Sequence, residues 1–435
     1  MARRRVGYHV SRPGRRAEDP PVEIPVAADL KSVPGTPIRD NEVTYYAREY
    51  PLESVAVEHS ASSLWALDVR EEAAPETAEL YRQHQEEIGP VVKWLKSTGD
   101  MEPTGAGEPT GEDVTEEIRA KARELGYGEV GFTNFDRRFV YKSKRQYVKG
   151  DLRHAICLAV EQDYVATQSL PSIEAETAHG DTHLRQAEMA KELVDYLHSL
   201  GFRAQVWGPT WHFGAMIPLF VKAGLGQLGI NGQLLSPHFG SRARLQVITT
   251  NANITHDRPI DYGVTKFCEL CQVCFMRCPG RAINQNKIWY RGVEKSKLDF
   301  RRCRPVMTSY SGCGVCMKVC PIQRYGMPQV MSHYIETGDV LGKGTENLEG
   351  YTLPDKGYFK TGQLPKFEPG FFDMPLGRSE DLVMDEYRER IQALDEDVNG
   401  SAGAKEAVWM EFREKLDKAL ERRNIPVDMG MDLGG

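Results

Sequence analysis

The stretch Cys268-Glu269-Leu270-Cys271-Gln272-Val273-Cys274-Phe275-Met276-Arg277-Cys278-Pro279 decides how this chain is read, because it spaces four thiols as Cys-x2-Cys-x2-Cys-x3-Cys with a proline behind the last. A second run follows as Cys303-x9-Cys313-x2-Cys316-x3-Cys320-Pro321. Three thiolates separated by two residues each can converge on one face of an iron-sulfur cubane, while the Cys-Pro turn sends the fourth the other way. In chains with two such clusters the fourth cysteine of a run serves the other cluster. The spacing therefore assigns Cys268, Cys271, Cys274 and Cys320 to one [4Fe-4S] centre and Cys278, Cys303, Cys313 and Cys316 to the other. A pair of zinc knuckles needs only two Cys-x2-Cys units and has no use for Cys274, Cys278 or Pro279.

Eight of the nine cysteines fall in these runs, which points to a reducing compartment rather than to disulfides. The ninth, Cys157, sits in the apolar run Ala155-Ile156-Cys157-Leu158-Ala159-Val160 and is expected as a buried, unreactive strand thiol. The 435 residues are 40% hydrophobic and 27% charged, the balance of a globular protein with room for two or three domains. A net charge of -7 gives no general attraction for nucleic acid or anionic membranes. Arg3-Arg4-Arg5 invites comparison with a twin-arginine export signal, but Ser11-Arg12-Pro13-Gly14 stands where an apolar segment is needed. No uninterrupted apolar run of about 18 residues occurs, so no membrane span is expected. The expectation is a cytoplasmic protein with no nucleic-acid partner and a disordered basic tail.

Residues 1–112 read as an N-terminal extension and linker, with Pro-rich stretches and an acidic segment broken by Gly and Pro between Thr98 and Gly111. A regular unit over 113–260 opens at Asp113, placed to cap a helix with Glu116 reaching back from the third position. Val114, Ile118, Ala122 and Leu125 form the apolar stripe of that helix and Gly126 stops it. Strands are expected at 129–132, 155–160, 204–206 and 245–249, with helices over 182–200 and near 214–223, an α+β or α/β layer. The cysteine unit spans 261–325, and 326–435 is a C-terminal helical extension whose clearest stripe is Val408, Phe412, Leu416 and Leu420. A ferredoxin unit alone does not need this length, so the clusters are expected to feed single electrons to chemistry in the preceding unit. Gly224-x-Gly226-x-x-Gly229 follows a helix rather than a strand, out of context for a nucleotide motif. A turn where backbone approaches a large flat ligand explains these glycines equally well.

The segments 223–244 and 257–271, together with 130–141 and 200–204, closely resemble the corrinoid-dependent reductive dehalogenases, and the resemblance runs from about residue 113 to 325. It implies an α+β fold in which a nitroreductase-like domain holds base-off cobalamin and is followed by a bacterial two-[4Fe-4S] ferredoxin domain. Gly224, Gly226, Gly229 and Asn231 are then the candidates for contact with the corrinoid. It implies that the clusters, fed by an external donor such as reduced ferredoxin, flavodoxin or a reductase, bring the corrinoid to Co(I). That species removes halide from an organohalide while a protein acid supplies the proton. The Asp-x-His-x-x-Gly motif of histidine-ligated cobalamin is absent, since Asp181-Thr182-His183-Leu184-Arg185-Gln186 lacks the Gly. The family pairs a tyrosine proton donor with an arginine that matches Arg242, with Arg244 as the alternative. Here the tyrosine position falls near His183, whose ordinary pKa near 6.5 suits proton donation. Arg242 reads either as a cation for the donor or leaving halide, or as a surface ion pair. His212, in the aromatic run 207–213, reads as a pocket wall or as plain core. Asp181-Thr182-His183 is also similar to a segment of the epoxyqueuosine reductases, which makes Asp181 a second donor candidate and a tRNA-directed deoxygenase the alternative function. A non-catalytic iron-sulfur electron carrier is the third reading.

Overall fold

The apolar run around Cys157 becomes the centre of an antiparallel sheet. In the computed structural model β1 (Glu129–Asn134), β2 (His154–Glu161) and β3 (Ala204–Trp207) are joined by β6 (Ala243–Thr250), which follows a small hairpin of β4 (Gln227–Leu228) and β5 (Leu234–Leu235). The order is β1-β2-β6-β3 and every pairing in it is antiparallel. Successive side chains of a strand point to opposite faces, and β2 uses both. Ile156, Leu158 and Val160 enter one apolar core, while Ala155, Cys157 and Ala159 enter another with Phe139, Phe213 and Phe220. Cys157 is fully buried, and burial pushes its thiol well above the ordinary range. The architecture is mixed helix and sheet.

The structure describes residues 24–30, 69–105, 111–140, 147–208, 213–290, 293–368 and 370–372, with residues 390, 394, 404, 407–408 and 410–411. The basic arm, His212 and the stripe residues Phe412, Leu416 and Leu420 lie outside them.

Two parts of the acidic segment differ from the expected linker. Residues Pro75–Ser97 form a helix, α1, with Pro at its first turn and Lys96 in its last, both favourable there. Its side chains Val91 and Ile88 pack on Leu184, and Leu95 joins the core of the sheet layer. Just beyond, the Thr98 hydroxyl accepts a hydrogen bond from the Val206 amide, and the Gly99 carbonyl accepts one from Arg203. Composition suggested a linker because few of these residues are apolar, yet the apolar ones fall on one face.

The next helix, α2 (Thr115–Glu124), begins one residue later than expected. Asp113 accepts from the Thr115 amide and hydroxyl, and Glu116 pairs with Arg119 instead of reaching back. After α3 (Tyr164–Gln168) comes the largest correction, since α4 spans Ile173–Ser199 and so starts nine residues before the expected Thr182. Ser172 caps it by accepting from the Ala175 amide, with Glu174 and Glu176 in the first turn. Ala190, Leu193, Val194 and Leu197 bury its inner face against the sheet, each large side chain contributing about 1.5–3 kcal/mol. The expected helix near 214–223 is the shorter α5 (Ile217–Lys222).

The cysteines sit on α6 (Val264–Cys271) and α7 (Val273–Arg277), then on and around α8 (Phe300–Ser309) and α9 (Val315–Lys318). Between the two runs the chain makes a hairpin of β7 (Ile283–Tyr290) and β8 (Val293–Leu298). One apolar core holds the cysteine helices and continues through Met327, Val330, Leu348, Tyr351 and Leu353. Arg277, fully buried, donates to the carbonyls of Glu349, Phe359 and Gln363 and lies over the Tyr351 ring. The segment after the second cysteine run, which includes a helix at Met327–Thr337, is thereby fastened to the first run.

Candidate redox site

The fold gathers the eight cysteine thiols into two neighbourhoods. Cys268, Cys271, Cys274 and Cys320 lie within electrostatic reach of one another, and so do Cys278, Cys303, Cys313 and Cys316, with Cys316 and Cys274 also adjacent across the two groups. The sets cross the two runs: Cys278, the residue after α7, neighbours Cys303 on α8, whereas Cys274 within α7 neighbours Cys268, Cys271 and Cys320. Burial pushes Cys303 up to about 11 and Cys271 and Cys313 to about 12, so iron rather than basicity would have to displace their protons. The donor chemistry fits two iron-sulfur cubanes: eight soft thiols, in two sets of four, shielded from water. Among the described residues no three His, Cys, Asp or Glu side chains converge closely enough for a single metal ion.

A cavity of about 960 Å³ lies between the sheet layer and the cysteine unit. Cys278, Cys303, Cys313 and Cys316 line it, whereas the other four cysteines do not. One set of thiols is therefore proximal to the cavity and the other distal. The same cavity is lined by Tyr81 from α1, Glu176, His179 and His183 from α4, Gln162 just past β2 and Arg244 from β6.

These residues form a hydrogen-bonded cluster. The Tyr81 hydroxyl donates to Glu176 Oε1, which also faces His179 Nδ1 at 3.4 Å. The rings of His179 and His183 meet edge to face, their centroids 4.3 Å apart. Arg244 Nε donates to Gln162 Oε1 at 2.7 Å. Gly312 (φ +75°) makes the arrangement possible, since a Cβ there would stand 2.4 Å from Glu176 Oε2. The Thr77 hydroxyl meets that of Ser311 at 2.8 Å, which docks α1 beside the same loop.

Electrostatics fix the protonation states. Burial, reinforced by Glu176, outweighs Arg70 and Arg304 and drives the Tyr81 phenol far up, so it stays protonated. Hydrogen bonds and charge from His179, Tyr81 and Arg244 overcome burial at Glu176 and lower its carboxyl, so it is ionised near neutrality. Burial, reinforced by His179, Arg244 and His84, drives His183 well below the ordinary imidazole value. Burial lowers Arg244 to about 10, still cationic at neutral pH.

The expected site residues are thus redistributed. His183 does line the cavity, but it is neutral there rather than poised near 6.5. Asp181 is 67% exposed on the outer side of α4, 3.7 Å from His84 Nε2, and does not line the cavity. Arg242 is fully buried outside the cavity wall, its guanidinium donating to Glu161 Oε1 at 2.7 Å and to the Gln323 carbonyl at 2.9 Å while lying over the Tyr164 ring. Burial pushes its partner Glu161 up to about 7. Arg244, inside β6, occupies the cavity position expected of Arg242, which precedes the strand and turns to Glu161 and the Gln323 carbonyl instead. Gly224 and Gly226 are packed on their own chain, a Cβ at either meeting the Arg258 or Leu235 carbonyl at 2.5 Å. A Cβ at Gly229 would meet Asn231 Oδ1 at 2.7 Å. Of the four expected cofactor contacts, only Asn231 lines the cavity, joined by Gly232.

Tyr81, Glu176 and His179 were not among the expected residues. Ser172 followed by Glu174 and Glu176 is a helix-start signal that reveals the true beginning of α4. Tyr81 carries no such signal.

No family model matches the chain. The tetrachloroethene reductive dehalogenase of Dehalobacter restrictus is 32% identical over 182 residues, which cover 39% of this chain and 32% of that protein. The match thus spans about a third of that relative's length. The epoxyqueuosine reductase of Lactococcus garvieae is 25% identical over 253 residues, covering 48% of this chain and 70% of that one. Among solved structures, the catabolic reductive dehalogenase NpRdhA shares the fold with a TM-score of 0.58 at 20% identity, over 83% of this chain and 58% of that one. In its sequence, and in the fold that its helices and antiparallel sheet build, the chain is a relative of the reductive dehalogenases, with the epoxyqueuosine reductases as a second related group.

Proposed function

We propose that this protein is an oxidoreductase that removes halide from an organohalide, with the sheet layer as a nitroreductase-like corrinoid-binding unit and the cysteine unit as a two-[4Fe-4S] ferredoxin unit. The observation that carries this reading is one cavity lined both by four cluster-type thiols and by a phenol, a carboxylate and a guanidinium. Its volume suits a large planar cofactor, and Asn231 and Gly232 offer backbone and amide contacts along one side. When bound there, the corrinoid supplies the low-valent metal that cleaves the carbon–halogen bond.

The overall change is an organohalide plus two electrons and one proton going to the hydrocarbon plus halide. Cys278, Cys303, Cys313 and Cys316 hold the cluster next to the cavity, and Cys268, Cys271, Cys274 and Cys320 the one that receives electrons from an external donor protein. Tyr81 supplies the proton at the carbon, and its charge is stabilised as it leaves by Arg244 and Arg70 nearby. Glu176 aims the phenol, and neutral His183 shapes the wall. Buried surroundings strengthen each of these interactions. The reading extends to a cytoplasmic setting, which suits eight reduced thiols; among the described residues no helix is long and apolar enough to cross a membrane. Asp181 gives the tRNA-directed alternative no support, because it is exposed and apart from the cavity.

The test is anaerobic reconstitution with iron, sulfide and cobalamin, followed by ion chromatography of halide released from aryl and alkyl halides under a low-potential reductant. About eight iron atoms and one corrinoid per chain are expected. Reconstituted protein that binds corrinoid and clusters but releases no halide from any of them overturns the reading.

A further inference from the structure

Helix α1 turns one stripe towards α4: Thr77, Tyr81, His84, Ile88, Val91 and Leu95, spaced three or four residues apart. The far half of that stripe is apolar, Ile88 and Val91 packing with Leu184, and Leu95 with the core of the sheet layer. The half nearer the cavity is polar. It meets Glu176, His179, Gly180 and His183 on α4, so that Tyr81 stands on Glu176, His84 on Gly180 and Ile88 on Leu184. A Cβ at Gly180 would overlap the His84 ring, so this glycine, unfavourable inside a helix, makes room for the histidine. Burying several titratable groups in a seam between helices costs stability that apolar side chains would not.

These groups run in a line from solvent to the cavity. At the outer end Asp181 is exposed, its Oδ1 3.7 Å from His84 Nε2. His84 acts electrostatically on both His179 and His183, whose rings meet edge to face. His179 Nδ1 lies 3.4 Å from Glu176 Oε1, the oxygen that accepts from Tyr81. Glu176 is ionised and only accepts, so His179 carries its proton on Nδ1 and leaves Nε2 free to take another. Burial lowers both cavity imidazoles, so neither holds an extra proton for long near neutrality. The guanidiniums of Arg70, Arg244 and Arg304 beside the line have Glu176 and the proximal thiols as their counter-charges. Arg244, lowered only to about 10, keeps its proton at neutral pH, which leaves the histidines and Glu176 as the groups that can both take and give one.

We propose that the seam between α1 and α4 is a proton relay, in which Asp181, His84, His183 and His179 carry protons from solvent to Glu176 and so reload Tyr81 after each turnover. This rests on the reading of Tyr81 as the proton donor to carbon, and it supplies the route by which a donor buried in the cavity wall is recharged. Once the Tyr81 proton has gone to carbon, His179 gives its Nδ1 proton to Glu176 Oε1 and the carboxyl delivers it to the phenolate oxygen. His179 Nε2 takes a replacement from the His84 side, and the ring returns to its Nδ1–H form. One solvent proton enters for each proton spent, and no electron moves along the seam. Asp181 and His84, neither of which lines the cavity, are positioning residues that act through Tyr81.

The test is the exchange of the Tyr81 hydroxyl proton with solvent in the corrinoid- and cluster-reconstituted protein, without reductant or substrate, so that no turnover is needed. Tyrosine carrying a heavy carbon isotope at Cζ gives separate resonances for O–H and O–D in mixed light and heavy water when exchange is slow, and Tyr81→Phe identifies the signal. His84→Phe keeps a ring over Gly180, leaves the cavity wall untouched and removes both nitrogens. It is expected to slow the exchange about tenfold or more, the scale of a lost acid–base group. His84→Ala should slow it similarly and be restored by imidazole added to the buffer, a rescue that a packing defect does not show. Exchange in His84→Phe as fast as in the wild type overturns the proposal, because protons then reach Tyr81 through the cavity mouth. Failure of imidazole to speed exchange in His84→Ala overturns it as well. Failure of the dehalogenase reading shows separately, as absence of halide release from a protein whose Tyr81 exchange depends on His84.

Discussion

The Tyr81 phenol and the Glu176 carboxylate share one hydrogen bond in a dry wall, and their pKa values are pushed apart: the phenol up, the carboxyl down. An acid held protonated beside a fixed anion can give its proton only when negative charge develops in front of it, which is what a proton donor to carbon has to do. Tyr81→Phe is expected to lower the turnover number for halide release by about 10²–10⁴-fold with little change in KM; unchanged turnover removes Tyr81 from the chemistry. Because His183 is already neutral above its depressed pKa, halide release should show no acid limb near 6.5, and a rate profile from pH 6 to 8 checks this. Arg244 sets the other edge. With its guanidinium lowered to about 10, kcat/KM should fall as pH rises through that value, the charged form being the active one. Arg244→Lys puts a more strongly hydrated cation, whose pKa burial depresses further, in the same place and should move the alkaline limb towards neutrality.

At the scale of elements, the arginine expected in the site turns out to join two of them. Arg242 ties the start of β6 to Glu161 at the end of β2 and to the turn after Cys320, so the sheet and the cysteine unit are held in register by one buried guanidinium. Arg242→Met leaves Glu161 buried without its partner and should cost about 3–5 kcal/mol of stability. The double variant Arg242→Met with Glu161→Leu should recover most of that in a denaturant titration, since burying two apolar groups avoids the stranded charge. If Arg242→Met keeps its stability but loses halide release, the residue acts in the chemistry after all. The helix α1 shows a different dependence on context. Its sequence is too polar to announce a docked element, and its few apolar residues gain their stabilising value only because Leu184 and the sheet core stand opposite them.

Across the whole molecule, the cavity wall orders the two sets of cysteines, since among the described residues only one set reaches it. Cys303→Ser is expected to stop halide release while the distal set still yields a reducible cluster by electron paramagnetic resonance. Cys271→Ser should leave release driven by a small-molecule reductant but slow release driven by a donor protein. Identical behaviour of the two variants would sink the proximal and distal assignment.

The sequence by itself determined the grouping of the cysteines, the strands of the sheet and the burial of Cys157, because each depends on neighbours a few residues apart: thiol spacing, alternation and apolar runs. Only the tertiary structure decided which side chains meet in the cavity. Tyr81 and Glu176 are 95 residues apart, and Thr77 and Ser311 are 234 apart. No local pattern records such a meeting. A two-residue step at the start of β6 likewise separates Arg244, on the cavity wall, from Arg242, in a buried ion pair; a regular strand would put both on one face, but Arg242 precedes the strand and the fold alone turns it away.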